Sequence, residues 1–398
     1  LFDAVGGISR LNAGGSLPRP FRRIIAVVDG PNPSFDYYLA PRLRLCPGLE
    51  VMRAELREGP GRIAPAAFDG ALLLFCRYIT PAWVRLLQAR RENIAAVALF
   101  LDDNLEALVH DRGVPLISRL RYHWCGTAHW PRLSPSLDLV LVSTSELARV
   151  HASARPLVLP PIADEFDSGP KLAPRWVGER FTVAYHATSI HGGDHAWLMP
   201  AAVALMKGAP PGWRFEVTAA GALARRWAEC PGVKVVPPLP WPHYRQVTAQ
   251  RHIDLMLAPL LPTQANRARS WTKRIDAARV SAALLVSDRS VYQPQSSELM
   301  LGMCVELRHE AWVAAIRSLA QDPLRRQRLA ELNRQRVEHD RHAVSPLFER
   351  SSGSDWVLAP LLQEAEARSK HSGSAQLQGH LAARAKSSEA VERALASI

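Results

Sequence analysis

No stretch of this chain is apolar for long enough to cross a membrane. The longest uninterrupted run, residues 94–101, falls far short of the ~20 residues a spanning helix needs. The amino terminus, LFDAVGGISRLNAGGSLPRP, has neither a charged n-region nor an apolar h-region, so it does not read as a secretory signal. A soluble, cytoplasmic protein is the expectation. Cysteine is scarce: Cys46, Cys76, Cys125, Cys230 and Cys304 lie far apart with no C-x-x-C pair, which argues against a disulfide framework or a structural zinc site. Reduced thiols, mostly buried, are expected instead. Zinc-finger, RRM-type and basic-zipper patterns are missing and the basic residues are dispersed, so nucleic acid is not an expected partner. No solenoid-type repeat is visible.

What is there is enough for two cores. At 398 residues, 47% of them hydrophobic, the chain exceeds what one core usually organises. Lys and Arg outnumber Asp and Glu 49 to 37, and the net charge of +12 favours anionic partners such as nucleotide phosphates or an anionic membrane surface. Short apolar runs ended by polar residues recur in FRRIIAVVDGPNPS (21–34) and at 71–79, 94–104 and 137–144, with a helical pattern in AWVRLLQAR between the second and third. A proline-dense stretch, 156–176, suits a connection between domains. A second series follows at 181–188, 213–221, 233–239, 253–260 and 283–288, with a helical AWLMPAAVALMKG after the first. Alternating strands and helices predict α/β architecture with parallel sheets, and two such series predict two Rossmann-like domains facing a cleft.

The expected boundaries are a flexible arm at 1–20, an N-terminal Rossmann-like domain at 21–165, a C-terminal Rossmann-like domain at 166–345, a C-terminal helix at 346–368 and a disordered tail at 369–398. The stretch after His309 reads as amphipathic helix. The tail is rich in Ser, Ala and Lys and has too few large apolar groups to offset ordering entropy.

Chemistry concentrates in residues 259–288, PLLPTQANRARSWTKRIDAARVSAALLVSD. Arg267, Arg269, Lys273 and Arg274 cluster where a helix begins, and a helix start suits a diphosphate. Asp276 lies three residues beyond Lys273, where a carboxylate can accept from ribose hydroxyls while cations hold the phosphates. The competing account is a solvated basic helix face with a Lys273–Asp276 salt bridge. Thr188, Ser189, His191 and Gly192 follow a strand and place hydroxyl, imidazole and bare backbone near a phosphate or sugar; helix capping explains Thr188 or Ser189 equally well. His186, His191 and His195 lack the partner spacing of a closed metal site.

The segment 273–287 resembles the donor-binding region of GT-B glycosyltransferases, whose K-x-x-E-A-x-A-x-G-x-P-V-V-A-S pattern stands here as Lys273, Asp276, Ala277, Ser281, Ala283 and Ser287. Asp replaces the glutamate, Ser281 the glycine and Ala283 the proline. Ala268 stands where many retaining members carry an earlier glutamate. The stretch Asn266, Arg269, Ser270, Lys273 is similar to N-x-x-R-S-x-x-K of a divergent bacterial group of family 1/4-like members.

The resemblance implies a GT-B fold, two Rossmann-like domains facing a central cleft with C-terminal helices. It also implies transfer of a sugar from a nucleotide-diphosphate donor to a glycan or lipid-linked acceptor. Thr188, Ser189, Gly192, Tyr244, Asn266, Arg269, Ser270, Lys273 and Asp276 would bind donor. Catalysis would involve Lys273, His191 and one of Asp102 and Asp103, as base or acceptor-orienting group, although an N-cap accounts for one of the pair. No cofactor or essential metal is expected. A non-catalytic glycan- or partner-binding module and a nucleotide-sugar epimerase on the same fold are the alternatives. The basic surface and C-terminal helices predict peripheral docking on an anionic membrane.

Overall fold

The apolar runs pair into two six-stranded parallel sheets. The computed structural model describes residues 11, 19–163, 180–288, 290–292, 294–351, 353 and 355–359. In the first sheet, β1 (Arg23–Val28), β2 (Glu50–Glu55), β3 (Ala71–Cys76), β4 (Ala96–Leu101), β5 (Leu139–Val142) and β6 (Leu157–Val158) lie in the order β2-β1-β3-β4-β5-β6. Ile25 of β1 is in register with Met52 and Leu73 on either side. Every residue of β3 and β4 is buried, as central parallel strands covered on both faces must be. β2 is an edge strand and mostly exposed, which is why EVMRAE carries no apolar run to betray it.

The second sheet contains β7 (Phe181–Tyr185), β8 (Trp213–Thr218), β9 (Val233–Val236), β10 (Leu255–Ala258), β11 (Ala283–Ser287) and β12 (Cys304–Val305), in the order β12-β11-β10-β7-β8-β9. The winding reverses between β1 and β3 in one sheet and between β7 and β10 in the other. Open α/β sheets bind ligands beyond the carboxyl ends of strands at such reversals. The domains also share apolar packing: Ile275, Ala278 and Val337 join the core on one face of the first sheet, and Ala265 and Ala268 the core on the other.

Four sequence expectations change. Leu11, within the supposed loose arm, is buried in the first domain, and Arg19 Nε donates to the Ala95 carbonyl at 3.1 Å, so these two residues are tied down. The proline-dense stretch contributes β6 before residue 164; residues 164–179 lie outside the described ones. The amphipathic stretch after His309 is two helices, His309–Gln321 and Pro323–His342, because Asp322 caps the second and Pro323 occupies its first turn, where its missing N–H costs nothing. The expected helix at 346–368 begins instead as an antiparallel hairpin of β13 (Phe348–Arg350) and β14 (Trp356–Leu358). Alternation wins there because Phe348, Trp356 and Leu358 all bury against the first domain, with Phe348 edge-on to Phe21 at 4.9 Å. Its remainder and the 369–398 tail lie outside the described residues. All five cysteines are unpaired, and Cys46, Cys76 and Cys230 are buried.

Candidate active site

A cavity of about 320 Å³ opens between the domains at the carboxyl ends of both sheets. Such a volume falls at the small end of ligand pockets. The strand ends of the first domain supply its acidic wall. Beyond β3, Arg77 adopts φ 71°, a left-handed conformation unusual for a side-chain-bearing residue and often retained where function needs it. Its guanidinium lies 3.0 Å from Asp102, 2.8 Å from Asp103 and 3.2 Å from the Ser34 hydroxyl. Beyond β4, Asn104 caps the helix Leu105–His110 by accepting from Ala107 N–H at 3.0 Å. Neither aspartate is therefore used as the cap, and both face the cavity.

The two carboxylates are driven apart. Burial pushes Asp102 above the usual carboxylate range, aided by the neighbouring Asp103 and opposed by Arg77 and by the Ser34 hydroxyl, which donates to it at 2.6 Å. Burial acts on Asp103 in the same sense, but Arg269 and Arg77 outweigh it and hold Asp103 below that range. A pair of acids set to different affinities for a proton is the arrangement acid–base chemistry uses.

The second domain supplies the cations. Arg269 donates through Nη1 to Asp103 at 3.0 Å and through Nε to Asn266 Oδ1 at 3.0 Å. Asn266 in turn donates to Asp194 at 3.0 Å, and Asp194 accepts from Leu261 N–H at 2.9 Å and pairs with His191 Nδ1 at 2.9 Å. Asn266 thus orients Arg269 from behind rather than facing the cavity. Burial and Arg269 lower the His191 pKa below its ordinary value despite Asp194, which favours the neutral imidazole. Lys273 lies 2.7 Å from Asp276, with a quarter of its side chain exposed.

Asp276 is buried and also accepts from the Tyr37 hydroxyl of the first domain. That bond belongs to a π-helical turn, Phe35–Leu39, that reaches across the cleft with three successive side chains. Asp36 accepts from Trp241 Nε1 at 2.7 Å, Tyr37 meets Asp276, and Tyr38 meets Ser270 through their hydroxyls. Trp241 and Tyr244 stack at 5.8 Å and form a flat aromatic wall. Tyr244 is fixed by His186 at 3.1 Å, and His186 by Glu216 at 3.1 Å.

The structure separates the expected residues into groups. Asp102, Asp103, Thr188, His191, Tyr244, Arg269, Ser270, Lys273 and Asp276 all line the cavity. Asn266 stands behind it. Gly192 turns its bare backbone to the other domain, where any Cβ would collide with the Gly113 carbonyl. Of Ser189 only the backbone is described, in the turn Ser189–His191. Thr188 starts that turn but its hydroxyl makes no cap bond.

The basic cluster also divides. Arg267 is exposed, and Arg274 is buried against Glu298 at 2.6 Å, away from the cavity. Ser281, in the place of the pattern's glycine, has φ 54°, the backbone conformation glycine normally supplies. Ala268 is fully buried among first-domain side chains, where a carboxylate would lack solvent. Arg77, Asp194, Trp241 and Tyr37 were not singled out from sequence. Only Arg77 carries a local signal, a polar residue directly after the apolar strand β3; Tyr37 and Asp194 lie nine residues beyond β1 and β7, and Trp241 sits among prolines in PPLPWP.

The sequence matches no protein-family model and no curated protein. Solved structures do resemble the fold. Sucrose-phosphate synthase from Thermosynechococcus elongatus superposes with a TM-score of 0.53 at 14% identity, over 80% of this chain and 94% of that one. TarM gives a TM-score of 0.47 at 9% identity over 70% of this chain, which spans only 53% of TarM. An α,α-trehalose-phosphate synthase from Burkholderia vietnamiensis gives 0.42 at 13% identity, over 70% and 73%. With its two parallel sheets either side of a cleft, the chain has the GT-B fold.

Proposed function

We propose, from the GT-B fold and the groups that face one another across its cleft, that the chain is a glycosyltransferase using a nucleotide-diphosphate sugar. The observation that carries the reading is the opposition of Arg269 and Lys273 on one wall to Asp102, with its raised pKa, on the other. The aromatic wall of Trp241 and Tyr244 offers a face for a base. On this reading Arg269 and Lys273 stabilise the charge that develops on a departing diphosphate, usually the largest electrostatic term in such a step. In the step proposed, the bond from the sugar's anomeric carbon to the diphosphate breaks. A new bond forms from that carbon to an acceptor hydroxyl, and the hydroxyl proton passes to Asp102. Asp103, held ionised between two arginines, positions them rather than accepting the proton. The acceptor is a glycan or lipid-linked hydroxyl.

A second reading, a non-catalytic module that binds a glycan or a partner, is favoured by one observation. Asp276, the expected ribose ligand, is already engaged by Lys273 and Tyr37. Incubating the protein with a panel of nucleotide sugars, with and without acceptor hydroxyls, separates the readings. Released diphosphate coupled to a new glycoside supports transfer. No product from any donor supports the module, and donor altered without acceptor supports an epimerase.

A further inference from the structure

Surface helices of globular proteins turn their apolar stripe toward the core. The helix Leu116–Trp124 does the reverse. At about 100° per residue, Leu116, Ile117, Leu120 and Trp124 fall within roughly 100° of arc, while Tyr122, its one buried residue, lies on the opposite side. Leu116 is 60% exposed, Ile117 80% and Trp124 59%. The surrounding segment, 112–137, contains four arginines and no Asp or Glu. Arg112, Arg121 and Arg132 are exposed. Arg121 shares the single carboxylate of Asp29 with Arg57, so that cluster retains positive charge.

We infer that this helix is an interfacial anchor that lays its apolar stripe into an anionic lipid surface. An outward stripe of Leu, Ile and Trp flanked by cations is the composition such helices use, and tryptophan favours the headgroup level. A second copy of the chain fits less well, since a symmetric contact through this face would set arginines against arginines. No described helix is long and apolar enough to span the bilayer, so the contact is lateral.

The position is informative. Tyr122 stacks on Tyr78, next to Arg77 of the cleft, and the loop before the helix carries Gly113, whose carbonyl meets Gly192 of the other domain. The lipid surface therefore lies beside the cleft mouth. Only the corollary that an acceptor enters from the bilayer rests on the proposed function.

The test is sedimentation of the full chain with vesicles of equal parts phosphatidylglycerol and phosphatidylcholine. The wild type is expected to co-sediment, and Ile117→Glu with Trp124→Glu to reduce vesicle affinity at least tenfold. Both sites are exposed, so melting temperature and nucleotide binding are expected to stay unchanged, which keeps this result distinct from any failure of the donor-site reading. A wild type that stays in the supernatant, or a double variant that binds as well, overturns the inference. So does a vesicle-independent self-association of the wild type that the double variant abolishes.

Discussion

Lys273 and Arg274 are neighbours in one basic run, yet their environments predict opposite phenotypes. Arg274 is buried, with Nη1 2.6 Å from Glu298 and 3.1 Å from Asn333, and Nη2 3.0 Å from the Tyr292 carbonyl. Arg274→Met fills similar volume but leaves the Glu298 carboxylate, 1% exposed, without its cation. Removing one partner of a buried pair costs about 3–5 kcal/mol. At about 2–4 °C per kcal/mol for a domain of this size, the melting temperature of the second domain falls by about 10 °C. Donor binding, measured well below that melt, is retained.

Lys273→Ala behaves differently. Asp276 keeps Tyr37 as a donor, so the stability loss is about 1–2 kcal/mol, while the most exposed cation of the cavity disappears. Nucleotide affinity falls at least tenfold and transfer is abolished. Scanning calorimetry and isothermal titration on the same preparations read both quantities. If Arg274→Met melts like the wild type and loses nucleotide, or if Lys273→Ala binds nucleotide normally, the division of the basic cluster into core and site is refuted.

Other outcomes follow from single contacts. Asn266→Ala removes the brace on Arg269 Nε and lowers donor affinity roughly tenfold, about 1.4 kcal/mol, without touching the ligand; unchanged affinity by titration would count against the brace. Ser281→Gly relieves a left-handed serine and raises stability by about 0.5–1 kcal/mol, read as a higher melting temperature; no gain would mean the serine is not strained there. Burial alone would raise Glu216, but hydrogen bonds from His186 and Arg251 bring it down to about 2. Because its folded pKa lies below its unfolded value near 4.3, its stabilising contribution is present above that value and lost as pH falls toward 2. Glu216→Gln should flatten the melting temperature across that window, and an unaltered profile would contradict the assignment. If Asp102 is the base, transfer must rise with pH through its raised pKa, and Asp102→Asn should leave a flat, low profile in initial-rate measurements.

The interior strands were legible because parallel strands covered on both faces must be largely apolar: β3, β4 and β10 are apolar throughout, and β1, β7 and β11 carry one polar residue each. β2 was not, because an edge strand with one buried residue has no such pattern. The hairpin of β13 and β14 was hidden for another reason: Trp356 pairs with Phe21, and nothing local to WVLAP signals a partner at the other end of the chain. Within the site, adjacency misled. Consecutive residues on a helix point about 100° apart, so one of Lys273 and Arg274 had to leave the cleft, and only the packing of helix Pro323–His342, whose Asn333 bonds the Arg274 carbonyl at 2.9 Å, shows which. Ser281 shows the converse: its place in the pattern pointed to glycine, and its backbone has kept glycine's conformation.

The most direct measurement is a calorimetric titration of the folded chain with uridine, guanosine, adenosine and thymidine diphosphates, alongside Lys273→Ala. Saturable binding of at least one nucleotide by the wild type, lost in Lys273→Ala while its fold persists, is the result predicted. A well-folded wild type that binds none of them, or a variant that binds as tightly, would contradict the placement of a nucleotide-diphosphate donor in the cleft.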